Sequence, residues 1–320
     1  MAKKKPTALG AYIFAGGFTL GVREYFDVLT HFEDGPYGVA TAIHNKLISE
    51  AHTDPASWPV DKYAGKVDFL YANPPCAPWS SCSHGRALHW TEDPRVNAVR
   101  RTYGLLESIE PQAWAWESVR PVWVKGRELV ETVVRHGMAR GYCATVLLVN
   151  GIYHGVPQVR KRFFLVLHRR PIDWAPTFKK KIITVAEAFA KPFKTETIYN
   201  CPPAYLKLLK KAEPGERLAK VFNRLNAARV AHREEGERIA GRPSFQNIRL
   251  VADEPSCVLT GGAKQFHPTE DRLISVEESA ALCGYPRWFK FQGAMGKQYA
   301  QVAQAVMPPV GEYLARVVAE

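Results

Sequence analysis

Over its first 170 or so residues the chain alternates short apolar runs with amphipathic stretches, and this alternation restricts the fold more than any other feature. The runs 11–14, 25–32, 67–72, 113–116, 143–149 and the stretch ending at Val166 read as strands, rich in β-branched and aromatic residues. Helical spacing separates several of them, over 94–110 and 128–140. Parallel neighbours need a crossover, so the pattern predicts an α/β chain with a doubly wound, mostly parallel Rossmann-like sheet. In such sheets ligands collect outside the carboxyl ends of the strands, which makes the residues just after each run the ones to inspect.

Those residues are chemically distinctive. The first run passes into Phe14-Ala15-Gly16-Gly17-Phe18, a glycine turn that lets a ligand approach backbone N–H groups. The second ends at Glu33-Asp34, where Glu33 suits a ribose hydroxyl or, equally, a helix start. The third stops at Asn73-Pro74-Pro75-Cys76, since two prolines cannot continue a ladder. Cys76 is thereby held at a strand's end, either as a nucleophile or as one more small buried hydrophobe. Ser80, Ser83 and Arg86 lie in a polar, glycine-containing stretch that reads as a closing loop or a plain surface connection. Glu117 follows the run Ala113–Trp116, and a carboxylate there is costly unless paired or used. Gln158, Arg160 and Arg162 alternate at the start of the last run, offering forked donors on one side of a strand.

Beyond residue 170 the alternation fails, interrupted by prolines, the lysine triplet 179–181 and a charged run over 210–242. The expected division is a first domain over 1–171, a small, basic, irregular domain over 172–271, and a segment over 272–320 that returns to the first domain. The formal charge is +12, and residues 171–250 carry +8 of it, which points to an anionic partner and above all to nucleic acid. Six scattered cysteines, with no C-x-x-C pair, give no metal site and suggest a reduced, cytoplasmic chain. Lys3-Lys4-Lys5 before an apolar run imitates a secretory signal, but Gly16-Gly17 inside that run favours a basic leader before a first strand. No stretch is long enough to span a membrane, and no heptad suggests an oligomer, so a monomer is expected.

In order, these stretches resemble the cytosine-5 DNA methyltransferase family. Phe14–Phe18 looks like its cofactor loop, Pro74-Pro75-Cys76 its nucleophile motif, Glu117-Ser118-Val119 its Glu-Asn-Val, and Gln158-x-Arg160-x-Arg162 its Gln-x-Arg-x-Arg. Arg272–Ala280 with Tyr285-Pro286 resembles the motif that orients the recognition domain, and Gln304–Pro309 the terminal helix beside the cofactor. The resemblance implies S-adenosylmethionine as donor and double-stranded DNA as substrate, in a bacterial or virus-infected cell, with a restriction enzyme as a further partner. Cys76, Glu117, Arg160 and Arg162 would be catalytic. Phe14, Ala15, Gly16, Gly17, Phe18, Glu33, Pro75, Gln304 and Val306 would bind the cofactor. Ser80, Ser83, Arg86 and Gln158 would meet nucleic acid. The chain departs from the family in a cofactor loop two residues short, in Ala77 and Ser118, and in Ala303-Gln304 where Gly-Asn is usual. RNA as substrate, a modified sulfonium donor, and a non-catalytic DNA-binding relative are the alternatives.

Overall fold

The computed structural model describes residues 4–49, 51–80, 89–174, 181–193, 197–231, 241–244 and 246–320. Six strands form one sheet: β1 (Thr7–Ala11), β2 (Asp27–Phe32), β3 (Phe69–Ala72), β4 (Ala113–Val119), β5 (Cys143–Asn150) and β6 (Lys161–His168). Their order is β2-β1-β3-β4-β6-β5. The first four run parallel, and β6 lies antiparallel between β4 and β5. Alternation places Ala113, Ala115, Phe164 and Val166 in one apolar cluster and Trp114, Trp116, Phe163, Leu165 and Leu167 in another. A sheet buried on both faces is what a doubly wound chain requires.

The first strand lies four residues earlier than its apolar run suggests. Tyr12 and Phe14 adopt left-handed φ values of 54° and 48°, so the chain leaves the sheet at Tyr12 and the segment 12–16 is already the loop. Two bonds fix that loop: the Phe14 N–H donates to Glu33 Oε2 at 2.6 Å, and the Gly16 N–H donates to Ile13 O at 2.8 Å. β4 also differs from expectation, running on through Glu117 to Val119 because β6 continues to pair with it after β3 has ended at Ala72.

The amphipathic stretches fold as their spacing predicts. In the helix Val96–Ile109 the residues Val96, Val99, Thr102, Leu106 and Ile109 form one buried stripe at intervals of three and four, with Ala98 buried beside it. The helix Val276–Leu282 begins at a capping box, with Ser275 and Glu278 each satisfying the other's backbone N–H. The terminal helix Pro308–Ala319 returns to pack on the short helix Gly17–Val22, behind the glycine turn. A methyl on Gly21 would meet Glu312 N at 2.2 Å, so glycine is what lets the two backbones touch.

A separate small cluster of Leu208, Leu209, Leu218, Val221, Phe222, Phe266 and Leu273 lies in the basic part of the chain. It surrounds a two-stranded pairing of β7 (Ile248–Arg249) with β8 (Gln265–Phe266). Among the described residues no helix is long and apolar enough to cross a membrane.

Candidate active site

Cys76 stands where β3 stops. The last ladder bond is Asn73 N–H to Ala11 O at 3.1 Å, after which Pro74 and Pro75 have no N–H to give. Cys76 has φ −95° and ψ 1° and begins the single turn Ala77–Trp79, closed by the Trp79 N–H donating to Cys76 O at 3.2 Å. Trp79 is buried against Trp116, so the turn that presents the thiol is anchored in the core.

Glu117 is the first β4 residue beyond the end of β3, and Asn73 takes the vacated place beside it, donating from Nδ2 to Oε2 at 2.5 Å. Across β6, Arg162 lies diagonally opposite and holds Oε1 through Nε at 3.0 Å. The carboxyl group is 2% exposed and its guanidinium partner 12%. Burial pushes the Glu117 carboxyl above its ordinary range, while Arg162 and Arg160 oppose the rise. Burial also raises the Cys76 thiol, followed by the charge of Glu117, and the same two arginines pull it back. The two groups are therefore linked: a proton on Glu117 removes one of the influences that keep the thiol protonated.

Arg160 comes just before β6 and is 1% exposed. Its Nη2 donates to Ala303 O at 2.7 Å and Ala305 O at 3.1 Å, whereas Nε and Nη1 are buried without a hydrogen-bond partner among the described residues. Burial and the neighbouring Arg162 pull its pKa down to about 10. It braces the strand bearing Arg162 against the segment 303–305.

A cleft of about 620 Å³ gathers Cys76, Glu117 and Arg162 with Phe14, Asn73, Pro75, Ser80 and Gln304. Glu33 follows β2 at 3% exposure, accepting from Phe14 N and from Gly35 N at 2.8 Å, and burial pushes its carboxyl up to about 7. Ala15, Gly16 and Gly17 are buried in the turn, with Gly17 packed against Val306 O and the Tyr285 hydroxyl.

Three expected contacts fall elsewhere. Phe18 is a core residue, packed among Phe69, Tyr71 and Phe164. The Val306 side chain is likewise interior, at 2% exposure. Gln158 is fully buried and cannot meet nucleic acid: Nε2 donates to Leu282 O at 3.2 Å and Cys283 Sγ at 3.3 Å, and Oε1 accepts from Leu259 N at 3.3 Å. Ser83 and Arg86 lie outside the described residues.

Sequence reasoning passed over Asn73, Arg95, Arg120, Lys161 and Thr260, all of which line the cleft. Arg95 is held by Asp93 through Nε at 2.8 Å and Nη2 at 2.5 Å, and that hydrogen bonding keeps the Asp93 carboxyl below the ordinary range. The Asp-x-Arg spacing at a helix start was the visible signal.

A family model described as C-5 cytosine-specific DNA methylase matches residues 11–320. The chain belongs to that family. Among curated members, the Type II methyltransferase M.XorII of Xanthomonas oryzae pv. oryzae is 24% identical over 352 aligned positions, covering 95% of this chain and 82% of the relative. M.PspPI of a Psychrobacter species is 27% identical over 314 positions, covering 91% and 74%. Among solved structures, a methyltransferase encoded within an E. coli prophage superposes with a TM-score of 0.71 at 20% identity, covering 99% of this chain and all of that one. The Dnmt2 methyltransferase of S. pombe gives 0.69 at 14% identity, covering 98% of both. This member of the methylase family thus has the family's α/β fold over its whole length, with strand ends converging on Cys76.

Proposed function

We propose that the chain is a DNA cytosine-5 methyltransferase that works through a covalent bond between Cys76 and carbon 6 of the target cytosine. The observation that carries this reading is the meeting of Cys76, Glu117, Asn73 and Arg162 in one cleft that Phe14, Pro75 and Gln304 also line. A nucleophile, a carboxyl group able to hold a proton and a forked cation are what the chemistry asks for.

The residues present fit S-adenosylmethionine. Glu33 keeps a lone pair on each oxygen beyond its two backbone bonds, enough for ribose hydroxyls, and Phe14 and Pro75 offer apolar surface in the cleft that holds the thiol. When bound, that group supplies an electrophilic methyl on a sulfonium. Phe14, Pro75 and Gln304 would hold it in the cleft that contains Cys76.

Cys76 loses its thiol proton to solvent and attacks carbon 6 as the thiolate, the new S–C6 bond pushes electron density toward carbon 5, and Glu117 donates its proton to N3 as charge develops there. Arg162, fixed by Glu117, steadies the O2 side of the base. Once carbon 5 carries the methyl group it loses its proton to a base, the C5–C6 double bond re-forms and Cys76 leaves as thiolate. N3 returns its proton to Glu117. A cytosine within a duplex must first be turned out of the stack, at a cost of about a few kcal/mol. Arg120 and Lys161 at the cleft would supply cations for the backbone of the extruded nucleotide.

The test is incubation with S-adenosylmethionine and duplex DNA containing 5-fluorocytosine, followed by intact-protein mass spectrometry of wild type and Cys76→Ser. Fluorine blocks the final elimination, so the expected product is a wild-type adduct carrying one added methyl group, absent from Cys76→Ser. An adduct of equal yield in both proteins, or adducts on fluorinated RNA alone, would overturn the reading.

A further inference from the structure

The two oxygens of Glu117 are held in different ways. Oε1 meets Arg162 Nε at 3.0 Å as an ion pair and has no hydrogen bond among the described residues. Oε2 accepts from Asn73 Nδ2 at 2.5 Å, a bond between two buried side chains. An ion pair constrains separation and little else, whereas a hydrogen bond weakens steeply once its angle is lost. The direction in which this carboxyl group points is therefore set chiefly by Asn73.

No other contact accounts for this carboxamide. Asn73 is 3% exposed, and among the described residues its one side-chain hydrogen bond is the one to Glu117, with Oδ1 buried and unpartnered. A buried amide with one end unsatisfied costs more than an apolar residue of the same shape. The sheet does not require it either, because the bond from residue 73 to Ala11 O uses the backbone N–H that every residue but proline carries. What the side chain contributes is its hold on the carboxyl group.

The place of Asn73 in the chain gives that hold a consequence. Ala72 pairs with Trp116 at the end of the β3–β4 ladder, so the next residue on each strand, Asn73 and Glu117, stand side by side. Only Pro74 and Pro75, whose rings fix φ, separate Asn73 from Cys76, and the turn after Cys76 is anchored by the buried Trp79. One short stiff segment thus carries the thiol at one end and, at the other, the group that holds the acid. We propose that Asn73 is a positioning residue: it fixes the Glu117 carboxyl group relative to Cys76, so that a cytosine whose carbon 6 meets the thiol has its N3 within reach of the acid. The assignment rests on the methyltransferase reading and adds to it the residue that aligns acid with nucleophile.

The experiment is single-turnover methylation of duplex DNA from S-adenosylmethionine, across a pH series, by wild type, Asn73→Ala, Asn73→Asp, Glu117→Ala and the double variant Asn73→Ala with Glu117→Ala, with DNA affinity measured alongside. In the wild-type background Asn73→Ala should slow methylation by about 10²-fold, the cost of misplacing a reacting group by an ångström, with affinity for DNA unchanged. Asn73→Asp has the same shape but no proton to donate when ionised, and should slow it at least as much. In the Glu117→Ala background there is no carboxyl group to aim, and Asn73→Ala should change the rate by less than about 2-fold. A donor to the ionised carboxyl favours that form, so in Asn73→Ala the limb of the rate profile on which Glu117 loses its proton should move to higher pH. A fall of equal size in both backgrounds, the mark of damaged packing, overturns the proposal, as does an unaltered rate in Asn73→Ala or a limb that stays in place. A wild-type protein that leaves the DNA unmethylated overturns the methyltransferase reading itself, and the inference with it.

Discussion

Glu117 and Cys76 are set against each other by their own fields. Each is raised by burial, and the carboxylate's charge lifts the thiol further. Glu117→Gln keeps the shape and removes both the proton and the charge. The thiolate should then form at lower pH in the resting protein, while turnover falls by about 10²- to 10⁴-fold because N3 has no proton donor. Thiol alkylation against pH and single-turnover rates would read the two effects separately, and a fall in both would sink the account. Glu33 gives a prediction of different sign. Its carboxyl is moved from 4.5 to about 7 by burial, so the unfolded chain ionises first. Stability from this group is complete below pH 4.5 and is lost as pH rises through 7, by a total on the order of 3 kcal/mol. Urea unfolding at pH 5 and pH 8 should show that decline in wild type and a smaller one in Glu33→Gln; equal declines would refute it.

At the scale of elements, the contact between helices Gly17–Val22 and Pro308–Ala319 is set by backbone approach. Gly21→Ala places a methyl against the backbone of Gly311 and Glu312, neither of which can swing aside, and should cost about 1–3 kcal/mol of stability by overpacking. Ser275→Ala, which removes one half of a capping box, should cost about 0.5–2 kcal/mol. Melting curves of both variants check the two values. The strands were legible because their apolar runs are local, and Cys76 and Glu117 were legible because each follows such a run. The start of the glycine turn was not, since Tyr12 and Phe14 are good strand formers forced into left-handed geometry by the bond from Phe14 to Glu33. The length of β4 depends on its register with β6, and no local pattern carries that. Gln158 reads as polar and therefore exposed, yet its partners Leu259, Leu282 and Cys283 lie over a hundred residues away. Its burial is a tertiary fact.

For the whole molecule, the net charge of +12 predicts binding to DNA that weakens steeply with salt. The slope of log K against log salt should be about −0.9 for each phosphate neutralised, and single substitutions at Arg120 or Lys161 should each make it shallower by roughly one. Filter binding across a salt series measures this, and an unaltered slope would remove those cations from the path of the backbone. Of the arginines in the basic stretch, Arg224 is paired with Glu216 and Arg249 with Asp271, so part of the positive charge is already committed inside the protein.

The packing of Pro308–Ala319 on Gly17–Val22 also sets an order of events during synthesis. The surface that backs the glycine turn leaves the ribosome nearly three hundred residues after the turn itself. Domains generally fold as units as they emerge, but this wall of the cleft cannot close until residues 308–319 arrive. The turn bearing Cys76 is thus made long before the cleft around it can be completed.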